Sequence, residues 1–474
     1  MTYLFYDLET FGINPQLDRI AQFACVRTNN SLEIVEEPVV LYCKVSEDYL
    51  PDIEACLLTG ITPVDTEQKG LCEHEFIHQI NGILGVPGTC VLGYNSIRFD
   101  DEFIRNALYR NFFDPYRREW ADGNSRWDLI DMVRLTHDLR PGNIKWPLTE
   151  EHRPSFKLAD LAKENQLSGG ESHDALADVY HTIALARLIF QNNPKLFNYC
   201  YEHRDKSAVS ALLSQKEILV HTSRILASEH GCTSLVIPLM EHPTRKNYVL
   251  SYDLRYDPKD LIDLPVKEVE ELIFADKENP RYAHRIHLKG IHLNKCPILA
   301  PVSVLDRESY ERLHISRETC ETHFQKLLDA ETSVMKKLSQ IYEKESFNKS
   351  TDNDPDTQIY SGGFFSPSDR FQLTRVHEAT SDTISELTLK TKDPRIPHMF
   401  FRWKGRNYPE ALSVADKISW KAFCEERRHT ILASRQKTMA DYKDQLNKAL
   451  RDEKFKPIAE KLFQYMTNAN IVLE

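Results

Sequence analysis

Apolar residues in the first 45 positions come in short, closely spaced runs rather than at helical intervals. Residues 3–9 (YLFYDLE) are apolar apart from two acids, which predicts a strand buried on both faces. Residues 20–28 and 39–45, rich in Val, Cys, Phe and Tyr, predict two more strands, with Asn29-Asn30-Ser31 as the turn signal between them. Short loops make these neighbours antiparallel. A fourth strand is expected over 89–94, leading into a helix from near Asp100 through Asn111. Residues 156–190 read as two helices separated by Ser168-Gly169-Gly170. Mixed strands followed by crossover helices predict an α/β domain over residues 1–195.

From about residue 200 the pattern changes. Strands are expected over 249–254 and 285–293, and one or two helices over 316–343, giving a second domain over 200–346. Residues 346–358 (SFNKSTDNDPDTQ) are polar, hold a proline and lack periodicity, so a linker is placed at 347–358. Beyond it the chain turns helical. Residues 413–474, rich in Ala, Lys, Glu, Leu and Gln with apolar residues at helical spacing, place a helical domain over 359–474.

Composition narrows the function. The chain has 474 residues, 41% hydrophobic and 28% charged, enough for two to four packed domains. Sixty Lys+Arg against 71 Asp+Glu give a net charge of −11, which argues against a globally basic nucleic-acid coat but not against a local basic groove. No apolar run reaches membrane-spanning length, and the opening MTYLFYDLET has no basic leader, so a cytoplasmic protein without membrane contact is expected. Ten cysteines without a CxxC or close pair read as reduced thiols. Neither GxGxxG nor GxxxxGK[ST] occurs, which weighs against dinucleotide and P-loop enzymes.

The candidate chemistry lies in acids at apolar positions. Asp7 and Glu9 stand two apart on a strand, so both side chains leave the same face. Two like charges in an interior strand repel, and each is costly to desolvate without a partner. A divalent cation would answer both problems; an edge strand with both acids solvated is the open alternative. Asp178 falls on the helical stripe Ala175, Asp178, Thr182, Leu185, Ile189 and again needs a partner. His173 lies just before that helix, and Asp100 sits where the fourth strand gives way to a helix, where an acid can also be a simple cap.

Acid-x-acid in a first strand, an acid after a later strand and His-x4-Asp opening a later helix together resemble the DEDDh 3′→5′ exonucleases of the ribonuclease H-like fold. Asp7-Leu8-Glu9-Thr10 matches their first motif, Asn95 through Asp100 the second, and His173 with Asp178 the third. Phe11-Gly12, the block Asn111-Phe112-Phe113-Asp114-Pro115-Tyr116, Ser125-Arg126-Trp127-Asp128-Leu129 and HLNKCP at 292–297 are similar to the bacterial exonuclease I family. In that family an SH3-like α+β domain and a C-terminal helical domain follow the nuclease.

The resemblance implies a monomeric, processive enzyme of DNA repair and recombination that degrades single-stranded DNA from the 3′ end to 5′-mononucleotides. It implies two Mg²⁺ ions, with Mn²⁺ able to substitute. Asp7, Glu9 and Asp178 would bind metal, Asp100 would hold the second ion, and His173 would be the general base, its ordinary pKa of about 6.5 suiting that role. The substrate strand would meet Glu9, Lys157, Arg105, Tyr116, Trp120 and Arg134. Lys157 stands where the family has arginine, keeping the charge but losing the fork. Phe112 and Phe113 are expected in the core. Arg140 and Tyr199 would receive the acidic, hydrophobic C-terminal tail of single-stranded-DNA-binding protein. An RNA 3′-trimming nuclease and an inert single-strand-binding protein are the competing readings. His287 and His292 are expected to pack rather than bind metal, and the acids at 266–271 and the Glu-Lys-rich C-terminus to be solvated.

Overall fold

The computed structural model describes residues 2–168, 174–226, 231–276, 278, 280–343, 354–469 and 471. The chain divides into two compact units, each discontinuous in sequence: Met1–Ser125, Gly169–Tyr180 and Lys349–Glu474 form the first, Arg126–Ser168 and His181–Asn348 the second. The first unit thus joins the N-terminal strands to the C-terminal helices, which the sequence pattern sets in separate domains.

In the first unit, β1 (Thr2–Thr10), β2 (Ile20–Thr28), β3 (Val39–Tyr42) and β4 (Thr89–Gly93) run in the order β3-β2-β1-β4. β1 is antiparallel to β2, pairing Asp7 with Ala24 and Glu9 with Gln22, and parallel to β4. Alternation along β1 sends Leu4, Tyr6 and Leu8 to one face. There they pack on Phe103, Ile104 and Leu108 of the helix Asp100–Arg110 and on Phe76, Ile77 and Ile80 of the helix Glu73–Leu84. A separate core buries Phe11, Tyr49, Leu50 and Ile53 against Ile431, Leu432, Tyr442, Leu446 and Leu462. These last come from the helices Val414–Ser434, Met439–Arg451 and Lys456–Asn468, so the C-terminal helices expected from the periodicity serve as a wall beside the N-terminal sheet.

Part of the expected linker behaves differently. Pro355–Thr357 form a buried turn, and Asp356 accepts a 2.5 Å bond from Arg406, which also donates to Asp48 at 2.9 Å. Arg402 and Arg427 hold Asp354. The polarity that suggests solvent at 354–358 is matched by arginines from two later helices, so these acids are interior.

A short strand, β5 (Ser125–Asp128), leads into the helix Leu129–Leu139, capped by the Asp128 carboxylate. The second unit also holds β6 (Leu219–Thr222), β7 (Thr233–Glu241), β8 (Tyr248–Asp253), β9 (Leu288–His292) and β10 (Ile298–Pro301). They form an antiparallel sheet in the order β10-β6-β7-β8-β9. β8 and β9 fall within one residue of, or inside, the expected strands, and the expected helical stretch resolves into Arg317–Asp329 and Glu331–Tyr342. None of the ten cysteines forms a disulfide, and no described helix is long and apolar enough to cross a membrane.

Candidate active site

Three stretches of the first unit, the last being the opening of a helix that continues into the second, bring the acids together. β1 supplies Asp7 and Glu9 from one face. The chain then leaves β4 through Gly93, where a Cβ would stand 2.9 Å from the Tyr6 carbonyl oxygen; glycine alone lets the turn close on β1. Asn95 takes a left-handed φ of 63°, and after the short turn Ser96–Arg98 the helix Asp100–Arg110 begins beside β1. The Leu8 amide donates to Asp100 Oδ1 at 3.2 Å, fixing that carboxylate against the strand.

The third element is the helix Ala175–Asn192. Ala175, Thr182, Leu185 and Ile189 of its predicted stripe are buried, and Asp178 is half-buried. Gln22, register partner of Glu9 on β2, anchors its start: Gln22 Nε2 donates to Asp174 at 3.1 Å and to Tyr42 at 3.0 Å, while its Oε1 accepts from the Ala175 amide at 3.3 Å. As a result Asp7, Glu9 and Asp178 each offer a carboxylate oxygen within 4.8 Å of the others. Among the described residues no other group of three or more His, Cys, Asp or Glu clusters this way. His173 lies outside the described residues.

Burial and mutual repulsion dominate the electrostatics. The Asp7 carboxyl is held well above its ordinary range by burial, then by the negative charges of Asp100, Glu9, Asp178 and Asp174. Glu9 is pushed up to about 8 by burial and by Asp178 and Asp174. Such a cluster disfavours its own ionised form and is stabilised by a hard divalent cation, whose charge offsets both the repulsion and the cost of burial. The donor set is all carboxylate and partly open, so these residues fit a metal that keeps water and phosphate as further ligands.

The residues expected to meet a strand divide between the units. In the first, Arg105 is 6% exposed and its guanidinium is occupied. It donates to Glu119 at 2.7 and 2.8 Å and to Glu102 at 2.9 Å, and stands 5.3 Å over the Tyr116 ring, so it braces that ring. Tyr116 is half-buried, meeting Phe364 edge-on at 6.1 Å, and Trp120 is 67% exposed. Tyr360, whose hydroxyl donates to Glu102, and Phe364, 84% exposed, belong to the same surface. The sequence reading passed over both, as it did Asp174 and Gln22; an aromatic in a polar stretch signals a platform only when its exposure is known. Phe112 is core, as expected, and Phe113 packs partly buried against the core, stacking on His377 at 4.0 Å.

In the second unit Arg134 is largely buried, donating to Asp131 at 2.5 Å and lying 5.7 Å from the Phe156 ring. Lys157 is exposed at the start of the helix Leu158–Glu164. Arg140 pairs with Asp306 at 3.0 Å and donates to the Val304 carbonyl at 2.8 Å, its side chain still 39% exposed. The Tyr199 hydroxyl donates to the Leu299 carbonyl at 3.1 Å and its ring stacks on His203. His287 stacks on Tyr256 and His292 packs on Tyr248, in keeping with the packing roles expected.

Comparison with known proteins fits this geometry. An exonuclease model matches residues 4–186, an exonuclease I SH3-like domain 204–344 and an exonuclease I C-terminal domain 353–469. Exodeoxyribonuclease I of Escherichia coli K12 is 40% identical over 468 residues, 98% of this chain and 97% of that protein. The crystal structure of E. coli exonuclease I with a dA16 oligonucleotide superposes with a TM-score of 0.92 at 37% identity, covering 99% of both chains. A crystal structure of SSB/exonuclease I with an inhibitor gives 0.86 at 36% identity, again over 99% of both. Three successive matched domains and 40% identity along nearly the whole length make this protein a member of the exonuclease I family.

Proposed function

We propose that this protein is a Mg²⁺-dependent exodeoxyribonuclease that removes 5′-mononucleotides from the 3′ end of single-stranded DNA. The convergence of Asp7, Glu9 and Asp178 within 4.8 Å, with Asp100 pinned beside them on β1, carries this reading. When bound, a pair of divalent cations supplies charge stabilisation to the attacking and leaving oxygens of phosphodiester hydrolysis. Asp7, Glu9 and Asp178 would hold the metal directly and Asp100 would support the second ion. His173 takes the proton of the attacking water. Tyr116, Trp120, Tyr360 and Phe364 offer faces on which unpaired bases stack without regard to identity, while Lys157, Arg105 and Arg134 follow phosphates. A duplex does not present its bases this way, so single strands are selected.

The relatives' name, exodeoxyribonuclease, favours DNA over the RNA-trimming alternative. The described acids are all in place, which speaks against an inert binding protein. The direct test is nucleotide release from 3′-labelled single-stranded DNA, duplex DNA and RNA of matched sequence, with Mg²⁺ or EDTA. Single-stranded DNA should be degraded fastest, and only with Mg²⁺; RNA consumed at the same rate would remove the substrate assignment. In this reading the enzyme is a processive cytoplasmic monomer serving DNA repair and recombination.

Arg140 and Tyr199 would receive the C-terminal tail of single-stranded-DNA-binding protein, an arginine and an aromatic suiting a carboxylate on an apolar side chain. Because Arg140 is already paired with Asp306, the tail must compete for it. Arg140→Ala should weaken binding of a tail peptide by about tenfold or more, and Asp306→Asn should tighten it. Calorimetry showing equal Kd for wild type and Arg140→Ala would place the pocket elsewhere.

A further inference from the structure

Two consecutive acids open the helix Asp100–Arg110, and both accept hydrogen bonds from β1. Asp100 accepts from the Leu8 amide at 3.2 Å. Asp101 accepts from the Tyr6 hydroxyl at 2.8 Å, and Tyr6 immediately precedes Asp7. The same Asp101 oxygen accepts from Arg118 Nη2 at 2.7 Å. Tyr6, Asp101 and Arg118 are all buried, so this is an interior ion pair with a phenol on it.

Stability is a poor reason to keep such a pair. Burying two charges costs about what their attraction returns, and apolar replacements of similar volume often do as well or better. Arg118 moreover leaves Nε and Nη1 without a hydrogen-bond partner among the described residues. What the pair does supply is direction. Arg118 lies in the loop between Tyr116 and Trp120, and its neighbour Glu119 holds Arg105 in a two-pronged bond beneath the Tyr116 ring. Glu102, one residue beyond Asp101, holds both Arg105 and the Tyr360 hydroxyl.

We propose that Asp101 is a positioning residue that, through Tyr6 and Arg118, sets the metal-binding carboxylates of β1 and Asp100 in register with the loop carrying Tyr116 and Trp120. This rests on the nuclease reading above. Asp101 lies outside the carboxylate cluster and acts through Tyr6 and Arg118; it locks Asp100 at a fixed offset from Asp7 and makes the platform for the bases part of the same rigid network.

The test is a pair of single variants, Asp101→Asn and Arg118→Met, with their combination. Each single variant removes one charge of the buried Asp101–Arg118 pair, and both melting temperature and turnover should fall. The double variant removes both charges, so its melting temperature should return toward wild type. Its kcat on saturating oligonucleotide should stay about 10–100-fold down, with Mn²⁺ binding, followed by electron paramagnetic resonance, weakened by a similar factor and KM little changed. Tyr6→Phe, which deletes one hydrogen bond and no charge, should lose kcat in the same direction by a smaller factor. Recovery of kcat together with melting temperature in the double variant would reduce Asp101 to a structural residue and overturn the proposal, as would wild-type kcat in Asp101→Asn. Should wild type itself release no nucleotides, the nuclease reading fails instead; the Mn²⁺ arm still decides on Asp101, since undiminished affinity in the double variant refutes its role.

Discussion

Asp7→Ala and Asp178→Ala should each lower nucleotide release from single-stranded DNA by on the order of 10³-fold or more, while binding to the same DNA in EDTA or Ca²⁺ changes little. The asymmetry follows from where the side chains stand. Asp7, Glu9 and Asp178 share one carboxylate cluster, whereas the exposed rings at Trp120, Tyr360 and Phe364 belong to other segments of the first unit. Stacking is worth about 1–3 kcal/mol per base and does not need the metal, so affinity survives when chemistry is lost. With metal removed, truncation also relieves repulsion, because Asp7 is held above its ordinary range partly by Asp178 and Glu9. Filter binding and single-turnover kinetics on the same preparations separate the two quantities. Turnover within a few-fold of wild type in either variant would dissolve the metal assignment.

The second large effect is on stability without metal. Glu9 is raised from an ordinary 4.5 to about 8 in the folded protein, first by burial and then by Asp178 and Asp174. Between those values the folded state binds a proton that the unfolded state has released, so stability falls as pH rises from about 4.5 through 8. A shift of this size corresponds to a few kcal/mol at pH 9. Glu9→Gln, which cannot ionise, should therefore raise the EDTA melting temperature by several degrees at pH 9 and hardly at all at pH 4.5. Divalent cation should reverse the order, stabilising wild type more than the variant, and its binding should release protons below pH 8. Thermal melts at both pH values with and without Mg²⁺ measure all four corners. Identical wild-type and Glu9→Gln curves in EDTA across this range would mean that the cluster carries no stored repulsion.

These effects were legible in the sequence to different depths. The spacing of Asp7 and Glu9 sufficed to put them on one face, because the two-residue repeat of a strand is a backbone property that no tertiary contact alters. The stripe holding Asp178 was legible for the same reason at helical period. Asp100 was ambiguous, since a cap and a metal-site acid look alike until the Leu8 amide is seen against it. Arg105 was visible as a cation among aromatics, but its pairing with Glu119, fourteen residues on, and its place over the Tyr116 ring were not. The expected linker misled for a related reason: composition counts the charges of Asp354 and Asp356 but not the arginines, some fifty to seventy residues later, that bury them.

What the amino-acid order determined by itself was therefore local and periodic: the strands and helices, the faces their acids occupy, and the family those motifs resemble. Which acids share a pocket, which arginines are already spent on partners, and that the C-terminal helices wall the N-terminal sheet were decided only by the tertiary structure. Backbone periodicity acts over a few residues and can be read along the chain. Carboxylate repulsion and ion pairing depend on distances through space, and only the fold sets those.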